Sequence, residues 1–444
     1  MTSGQRNIAI VGGGWAGCAA AVELARQGHR VTVYEASRTL GGRARCVDIG
    51  GRVLDNGQHI LLGAYTESLR LMRIVGINPH DALLRLPLQM RYPEGSGGMD
   101  FVTPALPAPL HMLAGLLRAK GLSRPDKMSL ARFSTTARWM DWRLDHDCSV
   151  DELLHRFDQT DRLIKLMWRP LCIAALNTPP ERASAQIFLN VLRDSLGARR
   201  AASDMLIPRV DLSELFPQKA ADFVRARGST VICGAAVRKI EVANGHWELE
   251  VNDSAPATSN EVRFDAVIVA TQASQAVGLV GGLVDTLALS AFEYEPITTC
   301  YLQYGKNIRL EHPFYALIDD AMESVWGQFV FDRGQISQHH EGLLAVVVSA
   351  SGEAIESGHQ ALAASVASQL AKVFRKPELR QPQWSKVISE KRATFSCVPG
   401  LKRPNNITGV DGLLLAGDYT ASDYPATLES AIRSGVQAAR QLIA

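Results

Sequence analysis

Residues 8–17, IAIVGGGWAG, decide the fold of this chain. The four small apolar residues at the start predict a buried strand, and the pattern of residues 18–27 predicts a helix. Between the two, Gly12, Gly14 and Gly17 stand in G-x-G-x-x-G spacing. The first glycine of that spacing permits a tight turn, the second lets the backbone approach a pyrophosphate, and the third lets the helix pack closely on the strand. The stretch therefore predicts a turn that binds the phosphates of a dinucleotide.

The next part of the chain supplies a partner for the sugar of such a ligand. A second strand is predicted at residues 31–34, and it ends at Glu35. A carboxylate at the tip of this strand is placed to accept both ribose hydroxyls of an adenosine. The phosphates would lie on the exposed N–H groups at the start of the first helix, next to Trp15 and Ala16. These pieces predict a Rossmann-type domain; the alternative is a tight turn that binds no ligand.

Residues 35–43, EASRTLGGR, indicate which dinucleotide is bound. They resemble the second half of the long motif of flavoprotein oxidoreductases, E-x-x-x-x-x-G-G-[RK]. A Rossmann domain that binds only NAD has no reason to place Gly-Gly-Arg there. In the amine oxidase and carotenoid desaturase superfamily this segment runs along FAD, with the basic residue near the pyrophosphate and the flavin. The resemblance therefore implies FAD, contacted by Ala36, Gly42 and Arg43.

Three further segments extend the resemblance through the chain: residues 55–62 (DNGQHILL), 168–180 (WRPLCIAALNTPP) and 417–430 (GDYTASDYPATLES). On these segments the whole chain resembles the superfamily of FAD-dependent amine oxidases and phytoene desaturases. The closer likeness is to the hydroxysqualene dehydroxylases. In related flavoproteins the helices that match the middle segment cover the substrate cavity, and the small residues Ala174 and Ala175 would leave room for an elongated apolar ligand.

The resemblance also implies where the cofactor lies. The segment around Gly57 would pass beside the flavin ring, the backbone of Val237 would hold the adenine, and Asp418 would contact the ribityl chain or the pyrophosphate. The last helix, predicted to open within residues 423–431, would place its N-terminus beneath the flavin pyrimidine, where it stabilises negative charge on the reduced ring. The predicted FAD-binding residues are Gly12, Gly14, Trp15, Ala16, Gly17, Glu35, Ala36, Gly42, Arg43, Gly57, Gln58, His59, Val237, Gly417, Asp418, Thr427 and Leu428.

The reaction that the resemblance implies is the reduction of an allylic hydroxysqualene to squalene, with FADH2 as the donor. Loss of the allylic hydroxyl leaves a delocalised cation that hydride from flavin N5 can quench, and a general acid must protonate the departing hydroxyl. We expect His59 or Asp423 to supply or relay that proton, and Tyr424 to orient the alcohol. For His59 the alternative is a buried histidine whose ring is satisfied by the backbone.

Three other functions share the scaffold. A carotenoid-type desaturase uses the same flavin N5 geometry, so the sequence leaves the direction of the reaction open. An amine oxidase is disfavoured because no obvious pair of aromatic residues flanks the C-terminal motif. Tyr424 and Tyr419 both occur there, but neither has a clear partner. A non-catalytic isoprenoid carrier is disfavoured because Glu35, Arg43 and Asp418 are all present.

A chain of 444 residues exceeds one ordinary core, which favours two domains. We predict an α/β fold, α+β overall, in which a Rossmann-type FAD-binding domain is interleaved with a substrate domain of mixed sheet and helices. The FAD-binding domain would comprise residues 1–78, 201–285 and 401–444. The substrate domain would comprise residues 79–200, mainly helical, and residues 286–400, with sheet and helix.

Patterning within these segments predicts individual elements. Pro170 should kink or restart the helix predicted over residues 163–177, because proline lacks an amide hydrogen. A helix over residues 359–374 would cover the sheet of the substrate domain. Apolar runs and alternation predict strands at residues 231–233, 264–271 and 412–418 in the FAD-binding domain, and at residues 298–304, 324–331 and 343–349 in the substrate domain.

Composition excludes several classes of function. The 47 Lys and Arg residues nearly balance the 45 Asp and Glu residues, so charge gives no reason to expect a nucleic acid partner. The seven cysteines are scattered without a C-x-x-C motif, which argues for a reducing compartment and against a metal site or disulfide framework. The strand at residue 8 leaves no room for a cleaved signal peptide, and no uncharged apolar run of about eighteen residues occurs. We therefore expect a cytoplasmic protein.

Residues 110–120, LHMLAGLLRAK, predict a helix that is apolar nearly all round and basic at its end. Such a helix either belongs to the core or lies in a membrane interface and opens an apolar tunnel. The expected substrate is an apolar isoprenoid, hydroxysqualene. Peripheral contact with the inner face of the cytoplasmic membrane, and hand-over from the enzyme that forms hydroxysqualene, are the further partners considered.

Overall fold

The computed structural model of the chain describes residues 4–252 and 262–443. The strands are β1 Asn7–Val11, β2 Arg30–Glu35, β3 Cys46–Ile49, β4 Arg52–Asp55, β5 Leu61–Leu62, β6 Leu83–Leu86, β7 Gln89–Arg91, β8 Asp100–Val102, β9 Met205–Pro208, β10 Thr230–Cys233, β11 Val237–Ala243, β12 His246–Val251, β13 Ala266–Val269, β14 Tyr294–Gln303, β15 Phe314–Ala316, β16 Phe329–Asp332, β17 Leu343–Ser349, β18 Trp384–Phe395 and β19 Leu413–Leu415.

Helices lie between groups of these strands. They are α1 Trp15–Arg26, α2 Thr66–Ile74, α3 Pro79–Ala82, α4 Leu110–Arg118, α5 Arg124–Trp139, α6 Val150–Arg156, α7 Asp161–Leu163, α8 Arg169–Leu176, α9 Ala185–Ser195, α10 Arg200–Ser203, α11 Leu212–Leu215, α12 Pro217–Arg225, α13 Ala273–Val280, α14 Leu287–Ser290, α15 Arg333–Ile336, α16 Gly352–Glu356, α17 His359–Val373 and α18 Leu428–Ile443. Seven of the described helices, from α4 to α10, follow one another between β8 and β9.

A parallel sheet of order β10-β2-β1-β13-β19 forms the first layer. Every neighbouring pair in it runs parallel, and its central strands β1 and β13 are almost entirely buried. Buried parallel strands are expected to be apolar runs, which is what the sequence shows. Its strands come from early, middle and late parts of the chain. The α/β fold class predicted from the sequence is confirmed, and β13 and β19 are shorter than their predicted strands.

An antiparallel sheet of order β15-β16-β17-β14-β18 forms the second large layer. The side chains of its strand β17 alternate between two buried surroundings. Leu344, Val346 and Val348 pack with residues of α17, the helix predicted to cover this sheet. Leu343, Ala345 and Val347 pack on the opposite side, in the cluster that includes Phe329 and Phe331 of β16. This second face is turned toward the cavity described below.

The helix restarts at Pro170, which is one of the two outcomes predicted for this proline. Helix α7 runs into a π-helical turn at Ile164–Trp168, and α8 begins directly after it. Because Pro170 cannot donate a hydrogen bond to the preceding turn, the wider turn accommodates it. Trp168 is buried in this turn, and its indole nitrogen donates to Gln159 Oε1 at 2.9 Å.

One further predicted strand differs clearly from the observed one. The strand predicted at residues 324–331 begins only at Phe329, because Ser324 has a left-handed φ of 54° within a turn closed between Asp320 and Val325. The last helix begins at Leu428, within the predicted range of residues 423–431. Thr427 caps it, since its hydroxyl oxygen accepts the Ser430 amide at 3.1 Å while Ser430 Oγ accepts the Thr427 amide at 3.0 Å.

No helix among the described residues is long and apolar enough to cross a membrane.

Helices α1 and α18 approach each other closely at Gly435. A methyl group built there would lie 2.1 Å from the carbonyl oxygen of Ala16, whereas one built on Gly278 of α13 has no atom within 4 Å. We expect Gly435→Ala to lower the free energy of unfolding by roughly 1–3 kcal/mol, as overpacking does. Gly278→Ala, the matched control, should raise it by up to about 1 kcal/mol because alanine favours helix. Thermal unfolding measures both, and equal stabilities would contradict this packing.

Candidate active site

A cavity of about 910 Å³ is lined by residues of both large sheets. Every predicted FAD-binding residue except Gly17 lies in its wall. Gly17 instead packs against the turn, since a methyl group there would lie 1.9 Å from the carbonyl oxygen of Gly12. The wall residues predicted from the sequence are Gly12, Gly14, Trp15, Ala16, Glu35, Ala36, Gly42, Arg43, Gly57, Gln58, His59, Val237, Gly417, Asp418, Thr427 and Leu428.

The glycine turn has the geometry that a phosphate site needs. Gly12 has a φ of 110°, and a methyl group on it would lie 2.7 Å from the carbonyl oxygen of Ala270. At Gly14 the situation is different: its φ of −73° suits any residue, and a methyl group would meet only Gly42 Cα, at 3.9 Å. The missing side chain of Gly14 therefore leaves room in the cavity rather than room for protein atoms. That space fits the close approach of a pyrophosphate to the backbone.

Glu35 is held in place by the turn that it faces. Its Oε2 accepts the Gly13 amide at 2.7 Å, and its Oε1 accepts the amide and the hydroxyl of Ser37 at 2.8 and 3.0 Å. A carboxylate offers about four lone-pair positions, so these bonds leave about one position, on Oε2, for a ribose hydroxyl. The prediction that Glu35 accepts both ribose hydroxyls therefore requires one internal bond to be shared.

Arg43 joins three distant parts of the chain at the cavity wall. Its Nη2 lies 2.7 Å from both carboxylate oxygens of Asp418, and its Nη1 donates to the carbonyl oxygen of Ala393 at 2.7 Å. Asp418 follows strand β19, and Ala393 belongs to β18 of the antiparallel sheet. The guanidinium of Arg43 thus connects Asp418 to the antiparallel sheet, and both Arg43 and Asp418 are predicted to face the cofactor.

The loop of residues 56–59 connects the cofactor side of the cavity to the antiparallel sheet. The backbone amide of Gln58 donates to Thr299 Oγ1 on β14 at 3.3 Å. The side-chain oxygen of Gln58 accepts from Nη1 of the buried Arg333 at 3.1 Å. At its start, Asn56 Nδ2 donates to the carbonyl oxygen of Arg43 at 3.1 Å. The loop is therefore fixed by three different elements.

His59 is the histidine of this loop, and it lines the cavity. Its Nδ1 lies 2.8 Å from the carbonyl oxygen of Gly57. Because a carbonyl oxygen only accepts, Nδ1 carries its hydrogen, and Nε2 is the nitrogen that can exchange a proton. Burial lowers the pKa of His59 below its ordinary 6.5, the hydrogen bond to Gly57 opposes this, and the charge of Arg43 adds to it. The ring is therefore neutral at pH 7 and becomes protonated only in more acidic solution.

The other two predicted catalytic residues lie elsewhere. Asp423 is exposed, and its carbonyl oxygen accepts from the side chain of Asn190. The hydroxyl of Tyr424 donates to Asp194. Neither residue is among the described residues that line the cavity, whereas His59 is. The reason is that both residues lie in the loop before α18 and are bonded to Asn190 and Asp194 of α9.

Several wall residues were missed by the sequence analysis. The carboxylate of Glu390, on β18, lies 3.4 Å from Asn56 Nδ2 of the loop of residues 56–59. No sequence motif indicated Glu390, because its position in the cavity wall depends on the pairing of β18 with β14. The apolar wall is formed by side chains of α8 and of strands β14, β16 and β17: Ile173, Ala174, Ala175, Ile297, Phe329, Phe331 and Val347. Of these, only Ala174 and Ala175 were predicted.

Asn177 ends helix α8 at this wall, with a left-handed φ of 48°. Its Nδ2 donates to Thr394 Oγ1 at 2.9 Å and to the carbonyl oxygen of Glu295 at 3.3 Å. Its Oδ1 accepts the amide of Ala350 at 2.8 Å. This buried amide anchors the end of α8 to β14, β18 and the turn after β17. A left-handed Asn after a helix is a recognisable cap, so the quoted segment could have revealed it.

The model of the family described as "Flavin containing amine oxidoreductase" matches residues 15–443. The chain belongs to this family. It is an FAD-dependent oxidoreductase, which sets aside the alternative of a non-catalytic carrier.

The chain is similar over nearly its whole length to several known proteins. A hydroxysqualene dehydroxylase of Rhodopseudomonas palustris is 28% identical over 453 residues, covering 99% of this chain and 99% of that protein. A zeta-carotene desaturase of Synechocystis sp. is 25% identical over 483 residues, covering 98% and 97%. The structure of cyclohexylamine oxidase from Brevibacterium oxydans shares the fold, with a TM-score of 0.67 at 16% identity over 99% of each chain.

Gly14 offers a test of the cofactor site that leaves the fold alone. Because a methyl group at Gly14 projects into the cavity, Gly14→Ala should leave the stability of the apoprotein within about 0.5 kcal/mol of the wild type. It should weaken FAD binding by roughly 1–3 kcal/mol, since the methyl group occupies space needed by the ligand. Fluorescence titration of the apoprotein with FAD measures the affinity. Wild-type affinity in this variant would place the pyrophosphate elsewhere.

Proposed function

We propose that the enzyme removes the hydroxyl group of hydroxysqualene reductively and forms squalene. The observation that carries the proposal is the continuity of one cavity: the FAD-binding wall joins an apolar wall that includes Ile173, Phe329 and Phe331. Apolar walls with few polar groups are typical of sites for apolar ligands. The similarity to hydroxysqualene dehydroxylases supports the same substrate class.

The reaction balances with the cofactor alone as reductant. The reduced cofactor, when bound, would supply the hydride for the allylic carbon, so that R–OH and FADH2 give R–H, water and FAD. The C–O bond breaks, and its electron pair leaves with the hydroxyl group. A proton donated to that oxygen makes water the leaving group, which lowers the barrier to C–O cleavage.

His59 is the proton donor in this proposal. It is a wall residue in the loop that matches the flavin-facing segment, and Nε2 can exchange a proton while Nδ1 stays bonded to Gly57. The apolar wall excludes water, so a charge placed on the imidazole ring acts strongly on the hydroxyl group. Glu390 is a second ionisable wall residue, tied to the same loop through Asn56. The earlier candidates Asp423 and Tyr424 are given no role in proton transfer, because both lie outside the wall.

Substrate delivery belongs to the same proposal. Hydroxysqualene is almost insoluble in water, so the enzyme would take it at a membrane surface or directly from the enzyme that forms it.

The carotenoid-type desaturase is the second candidate function, favoured by the similarity to zeta-carotene desaturases. It differs in direction, since a desaturase takes hydride from its substrate.

Anaerobic single turnover separates the candidates. Photoreduced holoenzyme mixed with hydroxysqualene should regain the absorbance of oxidised flavin and form one squalene for each flavin. A desaturase would instead leave the photoreduced flavin unchanged, and its oxidised flavin would be bleached by a more saturated isoprenoid. An amine oxidase would release hydrogen peroxide with amines in air. Absence of squalene after flavin reoxidation would contradict the proposal.

The pH dependence of that turnover tests His59. The proton must be on His59 before it can be given, and its pKa lies below 6.5. The wild-type rate should therefore rise as pH falls from neutrality, with an apparent pKa below 6.5. His59→Gln should slow the turnover by about 10²–10⁴-fold and remove this rise. The measurement is the rate of flavin reoxidation between neutral and mildly acidic pH.

His340→Gln is the matched control for this measurement. Burial and the charge of Arg333 lower the pKa of His340 to about 4, so this histidine is also neutral at pH 7. The control variant should keep the wild-type rise. A His59→Gln enzyme within a few-fold of the wild-type rate, or with an unchanged pH profile, would exclude His59 as the donor.

A further inference from the structure

Large exposed apolar side chains cluster in one part of the described chain. Eleven such side chains occur among the described residues, and six of them lie between residues 106 and 139. Four of the six belong to α4 and the segment before it, and they form what we name the leucine face: Leu106, Leu110, Leu113 and Leu117. Leu110 and Leu113 are each 52% exposed, and Leu117 is 65% exposed. Isolated exposed leucines are common, but a cluster of this kind marks an interaction surface.

The packing of α4 fixes which side faces outward. His111 and Leu116 are buried, and a methyl group on Gly115 would lie 3.2 Å from the carbonyl oxygen of Val102 on β8. The helix therefore sits close on β8 with its other side, at positions 110, 113 and 117, in solvent. Residues 105–110, ALPAPL, are all exposed as well. The leucine face is thus not needed to complete the core.

Basic residues border the leucine face. Arg118, Lys120 and Arg124 follow it directly and are all exposed. Residues 104–132 contain one acidic residue, Asp126, which is buried and bonded to Ser123 and Thr160. An apolar face with a positive border is complementary to a lipid surface whose headgroups are anionic.

Helix α5 continues the surface. The ammonium group of Lys127 donates to the carbonyl oxygen of Leu117 at 2.8 Å, which places the start of α5 beside the end of α4. Met128 is 64% exposed and Trp139 is 86% exposed. Eleven residues apart, they lie within about 20° of each other around the helix axis. An exposed Trp is typical of the membrane–water interface.

We infer that the leucine face and its basic border dock the enzyme on an anionic bilayer, with α4 lying in the plane of the interface. The inference deepens the proposed function, on which it rests for its purpose: a water-insoluble isoprenoid reaches the enzyme from the lipid phase. The docking itself involves neither the flavin nor His59.

Vesicle flotation of the holoenzyme tests the docking. The probes are vesicles of phosphatidylcholine alone and of phosphatidylcholine with phosphatidylglycerol, at low and high salt. The wild type should float with the anionic vesicles, and high salt should weaken this binding. Leu113→Asp with Leu117→Asp should reduce the partition coefficient about tenfold or more for each leucine. Arg118→Gln, Lys120→Gln and Arg124→Gln together should reduce it by roughly fivefold for each charge and remove the salt dependence.

The matched control carries the same change on exposed apolar residues elsewhere. Leu287 is 76% exposed and Met322 is 95% exposed, and Leu287→Asp with Met322→Asp should float like the wild type. Failure of the wild type to bind anionic vesicles would overturn the inference. So would equal losses in the control and in the leucine-face variant. Size-exclusion chromatography without lipid gives the third contrary outcome: a wild type larger than its leucine-face variant would mean that a second copy covers the face.

Single turnover in detergent micelles separates this inference from the proposed reaction. With substrate supplied in micelles, the leucine-face variant should reduce hydroxysqualene at the wild-type rate. If the wild type floats as expected but forms no squalene in micelles, the reaction proposal fails and the docking stands. If squalene forms but no variant changes flotation, the docking fails and the reaction stands.

Discussion

The ion pair between Arg43 and Asp418 is the contact on which the cavity depends. It joins the turn between β2 and β3 to the loop after β19, and the second guanidinium nitrogen reaches Ala393 in the antiparallel sheet. The pair is only partly exposed, so its net contribution to stability is small, but loss of one partner would leave an uncompensated charge in the wall. Because Nη2 bonds both oxygens of Asp418 and Nη1 bonds Ala393, the guanidinium holds three separate segments together at the cavity wall.

Two kinds of wall meet in the cavity, and their chemistry differs. The wall that contains the predicted FAD-binding residues is built from backbone amides, glycines and a few charged groups held by short hydrogen bonds. The opposite wall is built from alternate side chains of β14, β16 and β17, whose other faces pack beneath α17. Because the loop of residues 56–59 is bonded to both, His59 is positioned by the cofactor side and by the substrate side together. A proton donor in that place works at low polarity, where its charge is most effective.

The parts of the fold that the sequence predicted well are those whose causes are local. The turn at Gly12 and Gly14, the strands on either side and Glu35 follow from residues next to one another in the chain. Residues whose place depends on long-range pairing were not accessible: Glu390 reaches the cavity because β18 pairs with β14, which no local pattern specifies. The same limit explains Asp423 and Tyr424. Asn190 and Asp194 of α9 bond the loop that carries them and hold both residues away from the wall, and no local pattern specifies this contact.

The anchoring of α8 by Asn177 has a consequence for the shape of the substrate space. Since one buried amide bonds the helix end to β14, β18 and the turn after β17, the cover of the cavity cannot move without breaking all three bonds. The distance between cover and floor is therefore a fixed dimension, and only side chains can adjust it. The small side chains of Ala174 and Ala175 line the cavity below this cover, which suits a slender chain better than a bulky ring system. The anchored helix would therefore select ligands by their thickness, independently of the chemistry at the flavin.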